Sequence, residues 1–262
     1  MSALRNVMAI AEKEWRHYFG SPIAYVALFV WTMLFGIFFY FAFAYFLEQS
    51  MRSMGMEYGG GMKLSLNDYL IGPVLRNMAV VALFITPMLT MRLFAEEKRQ
   101  GTIELLATAP ITDLEVVLGK FLAAVGLYAL MILCGLVNVA LIWVYATNPP
   151  EWKPILTGAL ALLLLGSCFI SLGLFVSTLT KNQIVAGILA FCLFLGLWTL
   201  GWADDPVAGP VMKAVAYLGV TTHMEEMAKG VVELKDVVFY LSMIAFGLFL
   251  THQSVESQRW RA

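Results

Sequence analysis

Ionisable side chains are scarce in this sequence: Asp, Glu, Lys and Arg make up 13% of 262 residues, and histidine occurs only 3 times. The balance of 17 Lys+Arg against 18 Asp+Glu leaves no basic excess, so nucleic acid is not an expected partner. The C-terminal SQRWRA is too short for a polybasic tail. Carboxylates are missing from the interiors of the apolar runs, whereas a proton-driven carrier places one deep in a span. His17, His223 and His252 fall in separate regions, so Glu96 and Glu97 find no histidines with which to hold a metal or activate water. Cys134, Cys168 and Cys192 all lie inside apolar runs, where they read as small buried hydrophobes, and neither a disulfide nor a metal site is expected. A secretory signal is not expected either, because MSALRNVMAIAEKEWRHYFGSP carries charge where the apolar core of a signal would stand. A phosphate loop is missing as well. Gly59-Gly60-Gly61-Met62-Lys63 lacks the adjacent Gly-Lys, and Gly119-Lys120 is followed by Phe121, with Leu114 where the first glycine should be.

What the chain does have is hydrophobic length. Apolar residues make up 60% of it and its mean hydropathy is +0.78, which is the profile of a polytopic membrane protein. A helix needs about 20 apolar residues to cross the hydrocarbon. Six runs approach or exceed that length: residues 23–47, 73–94, 116–146, 155–179, 184–203 and 237–251, the last extended by 234–236 as a partly interfacial turn. The fold class expected is all-α with six transmembrane helices. Helix-start signals sit at two of the boundaries: Ser21-Pro22, and the capping box Thr112-Asp113-Leu114-Glu115. If the spans alternate from a cytoplasmic N-terminus, ten of the 17 basic residues lie inside and seven outside, so both termini are expected in the cytoplasm.

The densest charge run, AEEKRQGTIELLATAPITD at 95–113, lies between the second and third runs. Burying Glu96, Glu97, Lys98 and Arg99 at mid-membrane would cost about 10–14 kcal/mol in total, which one apolar span cannot offset. The stretch is therefore expected in the cytosol as a short helix, charged at its start, apolar at its end and stopped by Pro110. A turn whose leucines lie on the membrane surface fits the same pattern. Within the spans, Pro87 is a candidate kink or hinge. Arg76 and Asn77 suit an interfacial anchor or a substrate contact. Asn138 is expected to bond between helices, and Gly166, Ser167, Ser171, Gly173 and Ser177 give the fourth span a close-packing face. His223 with Glu226 reads as a solvated surface pair.

TPMLTMRLFAEEKRQGTIELLATAPITDLEVVLGK resembles the second span and coupling helix of ABC-2 type transporter permeases, the membrane subunits of a class of ATP-driven exporters. EKEWRHYFGSPIAYV, SLGLFVSTLTKNQIVAGI and HMEEMAKGVVELKDVVFYLS agree with it in order along the chain, and the last is closest to gliding-motility permeases. The resemblance implies a permease at residues 1–262 that exports an unidentified substrate. It would pair with a second permease, copy or homologue, and bind cytosolic ABC ATP-binding subunits. ATP and Mg would be held by that partner, with no cofactor and no catalytic residue in this chain. It also implies a coupling helix at 95–110 seated in the ATP-binding subunit through Glu97, Gly101, Thr102, Glu104, Leu105 and Leu106. An amphipathic connecting helix would occupy 1–20, with Leu4, Val7, Met8, Ala11, Trp15 and Tyr18 opposite Arg5, Glu12, Lys13 and Arg16. Residues 204–236 would form outer re-entrant helices or a plain exterior loop. The implied location is the plasma or inner membrane of a prokaryote, in contact with membrane lipid. A non-transporting scaffold that recruits an ATP-binding protein to an envelope or motility assembly is the alternative.

Overall fold

The computed structural model describes residues 3–55, 65–102, 111–145, 150–203 and 209–259, and every regular element among them is helical. In chain order these are α1 (Ala3–Gly20), α2 (Pro22–Gly55), a π-helical turn (Asn67–Ile71) that runs into α3 (Gly72–Thr90), and α4 (Ala95–Gln100). There follow α5 (Asp113–Tyr145), α6 (Trp152–Leu179), α7 (Gln183–Leu200) with a 3₁₀ turn (Gly201–Ala203), α8 (Pro210–Tyr217), α9 (Val220–Ala228) and α10 (Leu234–Arg259). Among the described residues six segments are long and apolar enough to cross a membrane: Pro22–Ser53, Asn67–Gln100, Asp113–Tyr145, Trp152–Leu179, Gln183–Leu200 and Leu234–Ser257. They match the six apolar runs one to one and extend past most run ends, because backbone hydrogen bonding continues where hydropathy has already fallen.

Local signals account for two of the starts. The Thr112 hydroxyl accepts from the Glu115 amide at 3.3 Å while the Glu115 carboxylate accepts from the Thr112 amide at 2.9 Å, a reciprocal capping box that opens α5. Pro22 begins α2 as expected, but the Ser21 hydroxyl donates backward to the Tyr18 carbonyl at 3.3 Å, which ties α2 to the end of α1.

Segments α3 and α6 form the centre, and α2 and α7 present most of their surface outward. The small residues of α6 explain how the centre closes. A Cβ at Gly166 would sit 2.1 Å from the Tyr128 ring of α5, and one at Gly173 would sit 2.3 Å from the Thr90 hydroxyl of α3. Across on α10, a Cβ at Gly247 would lie 2.6 Å from the Ser171 hydroxyl. Backbones approach where side chains are absent, so dispersion contacts hold helices that gain little from hydrophobic exclusion in lipid. Gly166→Ala should therefore destabilise the purified chain by about 1–3 kcal/mol. Gly196→Ala, with nothing within 4 Å of its Cβ position, should leave thermal unfolding in detergent unchanged. Asn138 departs from expectation: its amide donates to the Gly135 carbonyl of its own helix at 3.2 Å, a local bond that satisfies it without a neighbour.

Candidate functional site

Helix α1 is fastened lengthwise along the first half of α5. Asn6 donates to the Glu115 carboxylate at 3.2 Å, and a Cβ at Gly119 would sit 2.7 Å from Ile10. Further along, the Trp15 indole donates to the Ala123 carbonyl at 3.0 Å. Val7, Glu14 and Tyr18 therefore point inward, while Leu4, Met8 and Trp15 remain exposed. Burial, reinforced by the neighbouring Glu14 carboxylate, raises the Tyr18 phenol above its ordinary range, so it stays neutral.

The inward face delivers a carboxylate to a buried cation. Lys120, two turns into α5 and only 2% exposed, donates to Glu14 at 2.9 Å and to Glu97 of α4 at 2.8 Å. Its ammonium also lies 5.3 Å from the centre of the Phe94 ring, within cation–π range. Lys13, at the solvent edge, approaches Glu97 to 3.8 Å. Three helices distant in sequence thus share one charge centre beside a cavity of about 230 Å³, whose walls include Tyr18, Arg92, Glu96 and Thr102.

The step from α3 to α4 is held from a fourth helix. Residues 91–94 leave the helical ladder, and the amides of Phe94 and Ala95 donate to the Ser177 hydroxyl of α6, each at 3.1 Å. That hydroxyl in turn donates to the Met91 carbonyl at 3.2 Å, so its one donor and two acceptor positions are all used inside the break. Lys98 of α4 donates to the Thr178 carbonyl at the end of α6, where a cation also meets the negative pole of the helix. Helix α3 runs on through Pro87 to Thr90, so the discontinuity lies one turn beyond the proline and is maintained by an inserted side chain.

Of the residues implied for the partner interface, Glu97 faces inward to Lys120, and Thr102 lines the cavity. Gly101 ends α4 in the left-handed region at φ 71°, a cap that glycine adopts without a Cβ penalty. The helix expected over 95–110 is thus interrupted at Gly101. Glu104, Leu105 and Leu106 lie outside the described residues. Sequence reasoning missed Glu14, Lys120 and the bonding role of Ser177. The signal was available for two of them: Glu14 shares the helical face of Val7 and Tyr18, and Lys120 stands inside an apolar run.

At the opposite end of the bundle His223 is not the solvated partner of Glu226. It is 3% exposed and its Nδ1 lies 2.7 Å from the Asp236 carboxylate of α10, while Glu226 pairs with Lys229 at 3.0 Å. The reversal at Gly230, φ 96°, brings α10 back across α9 and puts Asp236 against the buried face of α9. His223 Nε2 sits 2.9 Å from the Tyr217 carbonyl, and its ring stacks on Phe239 at 4.0 Å.

Six apolar spans, with short helices at one end wired to them by ions and hydrogen bonds, define an integral multi-pass membrane protein. Residues 8–258 match the ABC-2 family transporter protein family, and the chain belongs to it. Comparison with curated proteins finds no match.

Proposed function

We propose that the chain is the permease subunit of an ABC exporter, driven through α4 by a separate cytosolic ATP-binding subunit that holds ATP and Mg. The observation that carries this reading is the attachment of α4. Six residues are fixed to α6 through Ser177 and Lys98, and to α5 and α1 through Lys120 and Glu14. A push on so short a helix is shared at once by α1, α5 and α6, since packed elements move as bodies and do not deform continuously. Glu97 acts inside this junction. The surface offered to the ATP-binding subunit begins after Gly101, with Glu104, Leu105 and Leu106. A second permease, copy or homologue, completes the assembly, and both termini lie in the cytoplasm of a prokaryotic cell. The finer placement in the gliding-motility branch rests on HMEEMAKGVVELKDVVFYLS alone, and the exported substrate is left open.

The test is co-purification. Leu105→Asp with Leu106→Asp should remove the ATP-binding subunit from material captured by a C-terminal tag, while membrane insertion and the yield of this chain are unchanged. Equal recovery of the ATP-binding subunit from both forms would overturn the assignment.

A further inference from the structure

At the end of the bundle away from α4, a cavity of about 280 Å³ opens between the first turns of α3, the end of α7 and the outer face of α9. Its walls carry Arg76, Trp198, Trp202, Thr221, Thr222 and Glu225. Neither Arg76 nor Glu225 has an ion-pair partner among the described residues, so a cation and an anion look into one space without neutralising each other. Two tryptophans beside them mark the depth at which indoles favour the boundary between headgroups and hydrocarbon.

Below Arg76 the surface of α3 changes character in a regular way. Most of that helix is buried, but Val80, Phe84 and Met88 are 40%, 54% and 58% exposed, each four residues from the last. They continue the line of Arg76 down one face. From Arg76 to Met88 the stripe is about 18 Å long, comparable to the roughly 15 Å depth of one leaflet. Phe84 meets Phe191 of α7 at 5.1 Å, which closes the seam between α3 and α7 beneath the cavity.

We infer that this cavity binds the headgroup of a zwitterionic, amine-bearing phospholipid, with one acyl chain lying on the Val80–Phe84–Met88 stripe. The guanidinium of Arg76 can take a phosphate in a bidentate fork. Glu225 supplies the acceptor for the ammonium, and the same carboxylate disfavours a headgroup that carries only negative charge. The apolar stripe distinguishes a lipid from a soluble phosphoester, because only a lipid covers it.

The inference is tested by native mass spectrometry of the full chain in detergent, offered phosphatidylethanolamine, phosphatidylglycerol or soluble glycerophosphoethanolamine at equal concentration. Wild type should retain phosphatidylethanolamine preferentially. Arg76→Gln should lower that retention about tenfold, and Glu225→Gln should bring it to the level of phosphatidylglycerol. Undiminished retention by Arg76→Gln would overturn the site. Retention of glycerophosphoethanolamine equal to that of the lipid would overturn the acyl stripe and assign the cavity to free phosphoesters. The readout involves no ATP-binding subunit, so its failure is distinct from failure of the coupling proposal.

Discussion

Lys120→Met is expected to lower the stability of the purified chain by about 3–5 kcal/mol, the usual cost of removing one member of a buried ionic cluster. Methionine preserves much of the volume, so the loss is electrostatic. Glu14 and Glu97 would face each other with side chains only 9% and 14% exposed, and Lys13, 64% exposed at the solvent edge, cannot replace a buried ammonium. The companion experiment is the triple variant Lys120→Met, Glu14→Gln, Glu97→Gln, which removes the three buried charges at once and leaves only Lys13 at the solvent edge. If the junction is held by charge, the triple variant should unfold at a higher temperature than Lys120→Met alone, a non-additivity that independent sites do not show. Lys120→Met within about 0.5 kcal/mol of wild type would mean that water reaches the cluster and that the pairs add little. The triple variant also separates folding from the proposed coupling: with stability restored, α1 and α4 would still lack the shared cation that ties them to each other. Under the coupling proposed above, ATP hydrolysis by an ATP-binding partner should then proceed with little transport.

The spans were legible in the sequence because hydropathy over about 20 residues reports solvent preference directly, and the capping box at Thr112 was legible because both of its bonds are local. The small residues of α6 also announced close packing, though Ser177 turned out to spend its hydroxyl on another helix's backbone. What could not be read is pairing at a distance. Lys120 lies 23 residues from Glu97 and 106 from Glu14, and no periodicity connects them. Lys120 and Glu14 were nevertheless out of place on their own helices, and charge on an apolar face asks for a partner. His223 misled for the opposite reason. The i,i+3 rule offered Glu226 as a local partner, but that rule applies to exposed helix surface, and a chain reversal brought Asp236 to the buried side.

His223→Ala should be the most damaging change at the end of the bundle away from α4, costing about 3–5 kcal/mol, and the reason lies in counting protons. The Tyr217 carbonyl can only accept, so Nε2 of His223 must carry a hydrogen, and the 2.7 Å contact of Nδ1 with Asp236 then requires one more proton between the two groups. Without the imidazole, Asp236 is a carboxyl only 1% exposed with neither oxygen bonded, since Oδ2 already has no hydrogen-bond partner among the described residues. Asp236→Asn should cost only about 1 kcal/mol, because an amide N–H can donate to Nδ1 of a neutral imidazole whose Nε2–H still reaches Tyr217. Asp236→Ala should fall between, at about 1–3 kcal/mol, leaving one buried nitrogen unpaired. Thermal unfolding of the three variants gives the order, and limited proteolysis within residues 209–233 should track it, because this bond ties α9 to the root of α10. An Asp236→Asn variant as unstable as His223→Ala would show that charge on the pair, and not the hydrogen bond, holds α9 in place over the cavity that Arg76 and Glu225 line.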